Sequence, residues 1–215
     1  MMTRNPTEVK YSQLIACYKD FRQITHKLQN DDLPKYLSRE AFDKCGKKLG
    51  VLQDNTLVLD DLDQIGVIMD YRIYDYREGG LNAVARYIAD TPLNPDSDEY
   101  AVIKAMSESF YTLLQVEEVL PGVWVRASDL MNNKEYLLVD MGLGKTAVEG
   151  IVIATRLLPF EDFVMTSGAP LPADAETLVE ILEFAFQQYG SGDGLHITLD
   201  MQHRADLTAD IIRLA

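Results

Sequence analysis

Residues 139–146 read VDMGLGKT, and residues 147–159 read AVEGIVIATRLLP. If the second stretch is a helix, the first is a phosphate-binding loop and the chain is a nucleotide-dependent enzyme. If it is a strand, the first is a turn in a sheet. A phosphate loop needs a strand, a tight glycine-rich turn whose amides curl round the anion, and a helix whose N-terminal dipole favours it. Residues 136–140 (YLLVD) supply a strand, and Gly144, Lys145 and Thr146 fill the last three places of the pattern. The required helix is the weak part. Val148, Ile151, Val152, Ile153 and Thr155 are β-branched, Gly150 is interior and Pro159 closes the run, a composition that suits a pleated strand.

Two further observations point the same way. The pattern wants glycine five residues before Gly144, where Val139 stands; the loops of SNF2-type helicases, which resemble this one more closely, usually carry Asp there. The 69 residues after Thr146 leave no room for a second nucleotide-binding lobe, and no apolar strand ends in an Asp–Glu pair. Asp200, closing LHITLD, is followed by Met201 and is a weak substitute. The reading adopted is a glycine-containing β-turn inside a sheet. A nucleotide-binding enzyme using Lys145 and Thr146 is the competing one.

Outward from this loop, residues 109–168 hold five strand-like runs: FYTLLQVEEVL, GVWVRA, EYLLVD, VEGIVIATRLL and DFVMTSG. Turn residues separate them at intervals of roughly 10–15 residues, the texture of a small antiparallel barrel. The first hundred residues are helical in pattern. Residues 7–29 repeat apolar side chains every three or four positions until Asn30-Asp31-Asp32 and Pro34; Ser38 caps a helix running to Leu49, with Gly50 beyond it. Helices follow at about 62–76, 81–89 and 97–108, the last with Asp96 and Glu99 as a capping box. Asp174 caps a helix over 175–189, apolar nearly all round and so expected to be buried; a last helix lies near 207–214.

The expected class is therefore α+β: a helical region (1–95), a small five-stranded antiparallel β-barrel-like domain with its leading helix (96–172), and a C-terminal helical region (173–215) packing on the core.

Composition narrows function. The net charge is −14, yet residues 1–50 carry ten Lys/Arg against six Asp/Glu, and the remainder ten against twenty-eight. Nucleic-acid binding is disfavoured over most of such a surface. The basic front, with Lys35, Arg39, Lys44, Lys47 and Lys48, faces either an acidic partner or the chain's own acidic remainder. Weak nucleic-acid binding through these helices is a further alternative.

The longest apolar stretch is far short of the roughly 20 residues a membrane helix needs, and MMTRNPTEVKYS lacks a signal's apolar core. With two cysteines, Cys17 and Cys45, in helical segments and no metal or redox motif, a cytoplasmic setting is expected. His26, His196 and His203 are scattered, and Ser167 lacks a nucleophile elbow. No catalytic residue, cofactor or metal is therefore expected.

The segment DYRIYDYR (70–77) concentrates tyrosine, arginine and aspartate, types enriched at interfaces. Arg72, Tyr74, Asp75 and Arg77, with Trp124 on a strand, are the candidate interaction surface. An internal salt-bridge network tying the helices to the barrel is the competing and favoured reading of that segment. The function expected is a non-enzymatic interaction or regulatory module, with an unidentified protein partner or a second copy of the chain.

The order of pieces LSREAFDKCGKKLG, IGVIMDYRIYDYREGGLNAVARYIAD, SFYTLLQVEEVLPGVWVRASDLMNNKEYLLVD and ATRLLPFEDFVMTSGAPLP, across about residues 35–175, resembles an uncharacterised bacterial family of hypothetical proteins. Some related proteins carry a C-terminal SEC-C metal-binding motif. That Cys/His cluster is absent here, so the resemblance implies no zinc role. It implies that GLGKT is a barrel turn.

Overall fold

The structure, a computed structural model, describes residues 6–53, 56–57, 63–189 and 201–215. Sequence readings on residues 58–62 and 190–200, including His196 and the LHITLD run, lie outside the described residues.

The decisive stretch is extended. After a single helical turn, α6 (Leu143–Thr146), the chain enters strand β6 (Val152–Pro159). Seven of the eight β6 residues are buried, because this strand is covered on both sides. Ile153 and Leu157 join Leu114, Val125 and Leu138 inside the barrel. Ala154 and Leu158 pack on the helices outside. Covering both faces explains the unbroken apolar run that periodicity alone could not assign.

The barrel is formed by β3 (Phe110–Leu120), β4 (Trp124–Asp129), β5 (Lys134–Leu138), β6 and β7 (Val164–Thr166). β3–β4 and β4–β5 are hairpins, in register from Leu120↔Trp124 and Asp129↔Lys134. Gly122 (φ 70°) turns the first and Asn133 (φ 52°) the second. β6 pairs with β3 (Phe110↔Leu157), and β7 fits between β6 and β5, closing the ring.

The expected α+β class and five-stranded closure are present, with two corrections. The β5–β7 pair is parallel, because β6 rather than β7 follows β5 in the chain. A sixth strand, β8 (Leu171–Ala173), pairs with the far end of β6.

Helices pack against the outside of the barrel. α1 (Pro6–Lys27) does not stop at Asn30-Asp31-Asp32; it continues as a π-helical turn, Leu28–Asp32, and a 3₁₀ turn, Leu33–Tyr36. Leu28 and Leu33 are fully buried, and burying each such side chain offsets the irregular backbone by about 1.5–3 kcal/mol. α2 (Arg39–Lys48) starts where Ser38 Oγ accepts the Ala41 amide. A two-stranded ribbon, β1 (Leu52–Gln53) and β2 (Thr56–Leu57), leads to α3 (Asp63–Tyr74) and α4 (Ala83–Asp90). α5 (Asp98–Ser107) is capped by Ser97, one residue after the expected Asp96.

α7 (Ala175–Tyr189) begins with Asp174 accepting the Thr177 amide, and packs against α8 (Met201–Leu214). It is not buried all round: Ile181 and Ala185 are, whereas Val179 and Phe186 are 55% and 52% exposed. One core cluster joins α1, α3, α4 and α5 to barrel residues Val139, Leu158 and Met165. Among the described residues no helix is long and apolar enough to cross a membrane.

Candidate functional site

The GLGKT loop is built around Asp140, not around an anion. Asp140 Oδ1 accepts the Gly142 and Leu143 amides at 2.9 and 3.0 Å. Its Oδ2 accepts Arg22 Nη2 at 2.8 Å and Thr166 Oγ1 at 2.6 Å. The Gly144 and Lys145 amides bond the carbonyls of Asp140 and Gly142. Every amide from 142 to 145 is therefore spent within the turn, while the side chains of Lys145 and Thr146 stand in solvent. A Cβ on Gly144 would lie 3.3 Å from the Gly122 nitrogen, so this glycine permits a close approach to the β3–β4 turn. The segment is a helical turn in a crossover connection instead of the expected β-turn, because β5 and β6 are not neighbours in the sheet.

The second constellation lies where α3 meets β6. Arg156, buried on β6, donates Nε to Asp70 Oδ2 at 2.8 Å and Nη2 to Asp75 Oδ2. Its guanidinium sits 4.6 Å from the ring centre of Tyr74 and 5.6 Å from that of Tyr111. Two carboxylates thus share one cation between two tyrosine faces. Burial pushes the Asp75 carboxyl up to about 6; Arg156 opposes the rise and neighbouring Asp70 adds to it. Burial alone would lower the Arg156 pKa, but Asp70 and Asp75 outweigh it and keep the guanidinium charged. Asp70 Oδ1 and the Tyr111 hydroxyl are buried without a protein partner.

This cluster borders a cavity of about 300 Å³. The helical region contributes Tyr74, Asp75, Arg77 and Asn82; the barrel, Tyr111, Lys134, Tyr136 and Arg156; α8, Arg204, Leu207 and Thr208. Of the residues singled out in the sequence, Tyr74, Asp75 and Arg77 come together here. Arg72 does not: its guanidinium stacks 5.3 Å from the Phe42 ring centre on α2. Trp124 packs on the cluster around α1, with its indole N–H buried and unpartnered.

Sequence reading missed Arg156. The available signal was a lone arginine within an apolar run, which needs a buried acid. Arg204 and Lys134 carried no local signal.

Elsewhere the chemistry is structural. Among the basic residues of the front, Lys35 pairs with Asp32 and Lys48 with Asp206, while Arg39, Lys44 and Lys47 are exposed. Burial pushes the Cys45 thiol up to about 12, leaving it protonated and unreactive. No group of three His, Cys, Asp or Glu among the described residues is placed to hold a metal.

No curated protein and no solved structure matches the chain. A family model matches residues 12–187, which run from within α1 through the barrel to most of α7. The chain belongs to the family of unknown function DUF7986.

Proposed function

We propose that the chain is a non-enzymatic regulatory module that binds a small polar ligand in the 300 Å³ cavity and transmits its occupancy to a protein partner. The supporting observation is that helical region, barrel and α8 each supply part of one wall. A ligand touching all three adds contacts that none makes alone, so occupancy stiffens their junction. Tyr74, Asp75 and Arg77 face the ligand in this reading, whereas Arg72 and Trp124 support the packing behind it. The three-region organisation, a cytoplasmic setting and kinship with SEC-C-bearing proteins belong to the same proposal.

A thermal-shift panel of small polar metabolites tests it. At least one compound raises the melting temperature by several degrees, as binding of a few kcal/mol does for a chain of this size. Thr208→Trp, which fills the cavity, abolishes that rise. A panel without any shift, or shifts indifferent to Thr208→Trp, ends the proposal.

A further inference from the structure

The charge of the cavity wall runs against the charge of the chain. On a molecule of net charge −14, the described lining carries Arg77, Lys134, Arg156 and Arg204 against one carboxylate, Asp75, with Asp70 behind the wall also paired to Arg156. These cations come from four separate segments: the α3–α4 connection, β5, β6 and α8. Their convergence is a product of the fold, not of a basic stretch of sequence. Arg156 is fixed at the inner end by two carboxylates and two rings. Lys134 and Arg204 are exposed on the wall.

A concave site concentrates such a field, and clustered guanidinium groups suit planar or tetrahedral oxyanions. The Tyr111 hydroxyl, buried and unpartnered on the same wall, is a donor for which the protein supplies no acceptor. The cavity volume is at the lower end for small-molecule sites, which span about 300–1,000 Å³, so a compact metabolite fits better than a dinucleotide.

We infer that the cavity between β3, β5, β6 and α8 is a binding site for a small oxyanion-bearing metabolite, held by Arg77, Lys134 and Arg204 with Tyr111 as a neutral donor. This deepens the regulatory reading above and rests on it. Arg156 acts as a positioning residue that holds Asp75 and the two tyrosine rings in place.

Calorimetric titration of the full chain at low ionic strength tests the inference with named probes. Methyl phosphate and inorganic phosphate form one arm, acetate and succinate the second, and glycerol and tetramethylammonium the controls. Saturable binding in either anionic arm, with none for the controls, is the expected result, and the stronger arm says whether phosphate or carboxylate is the natural group. Lys134→Gln and Arg204→Gln lie on exposed positions, and their melting temperatures, read in the same experiment, report whether the fold is kept. Each weakens binding about tenfold to a hundredfold, the loss of one charge-assisted contact.

Failure of both anionic arms to bind, binding undiminished in the Lys134→Gln, Arg204→Gln double variant, or equal binding of a control would each overturn the inference. If a neutral or cationic compound from the thermal-shift panel binds and is blocked by Thr208→Trp, the oxyanion assignment fails while the regulatory reading stands. If nothing binds, both fail.

Discussion

Two arginine–carboxylate clusters tie helices to the barrel, and they are built to opposite specifications. At the first, Arg22 of α1 meets Asp140, and the two carboxylate oxygens accept four bonds from the Gly142 and Leu143 amides, Arg22 and Thr166. At the second, Asp70 and Asp75 of the α3 end share Arg156, and the Tyr111 hydroxyl beside it lacks a partner where the cluster borders a cavity. A saturated buried cluster has nothing left with which to recognise a ligand; an undersatisfied one beside open space does. The loop that most resembles a ligand site is thus the structural one, and the segment read mainly as structural borders the candidate site.

The contrast is sharpest in stability. Asp140→Ala removes all four bonds its side chain accepts and leaves the mostly buried Arg22 charge without its carboxylate, so denaturant unfolding should show a loss of about 3–5 kcal/mol. A loss below about 1 kcal/mol would mean that the cluster is not what fixes α1 to the barrel.

At the second cluster the expected signature is a pH dependence. Asp75 titrates near 6 in the folded protein against an ordinary 3.8, so the fold binds this proton more tightly than the unfolded chain does. The stability it contributes is complete below about pH 4 and is lost as the pH rises through about 6. Measured against Asp75→Asn, the native chain should lose about 2–3 kcal/mol of relative stability between pH 4 and 7. A flat difference curve would show that Arg156 holds Asp75 ionised throughout.

Thr166→Val keeps the shape of the first cluster and removes one donor to Asp140; unfolding should record a loss of about 1–2 kcal/mol. The smallest effect belongs to the residue that a nucleotide site would need most. Lys145→Ala should change stability by less than about 0.5 kcal/mol, with Mg–ATP leaving both melting temperatures where they were. A nucleotide shift lost in that variant would reinstate the phosphate-loop reading.

The sequence displayed most of the architecture because local chemistry carries it. β-Branched residues at 148–155 and the Pro121-Gly122 and Asn132-Asn133 turns marked the barrel, and Ser38 and Asp174 marked helix starts. What stayed hidden depended on distant chain. β8 follows Pro170 and contains Pro172, residues that locally disfavour a strand; yet β8 bonds only β6, on a sheet edge where a missing N–H is tolerated. The parallel β5–β7 pair has no local signature, since α6 and β6 intervene.

The candidate site was half visible. DYRIYDYR named its aspartates and tyrosines, but nothing local to Arg156, Lys134 or Arg204 shows that they converge on one cavity. Any of the 34 acidic residues could have been the partner that a buried arginine requires.

The strand order also has a consequence for synthesis on the ribosome. β3, β4 and β5 emerge first and can pair at once as a meander, but both outer strands of that meander then present bare backbone. β6 covers one of them, and the other waits for β7, which ends at Thr166. A nascent chain halted short of that residue keeps an open seam able to recruit a foreign strand. Truncations ending before Thr166 should therefore be caught by chaperones or aggregate, and those extending past it should not.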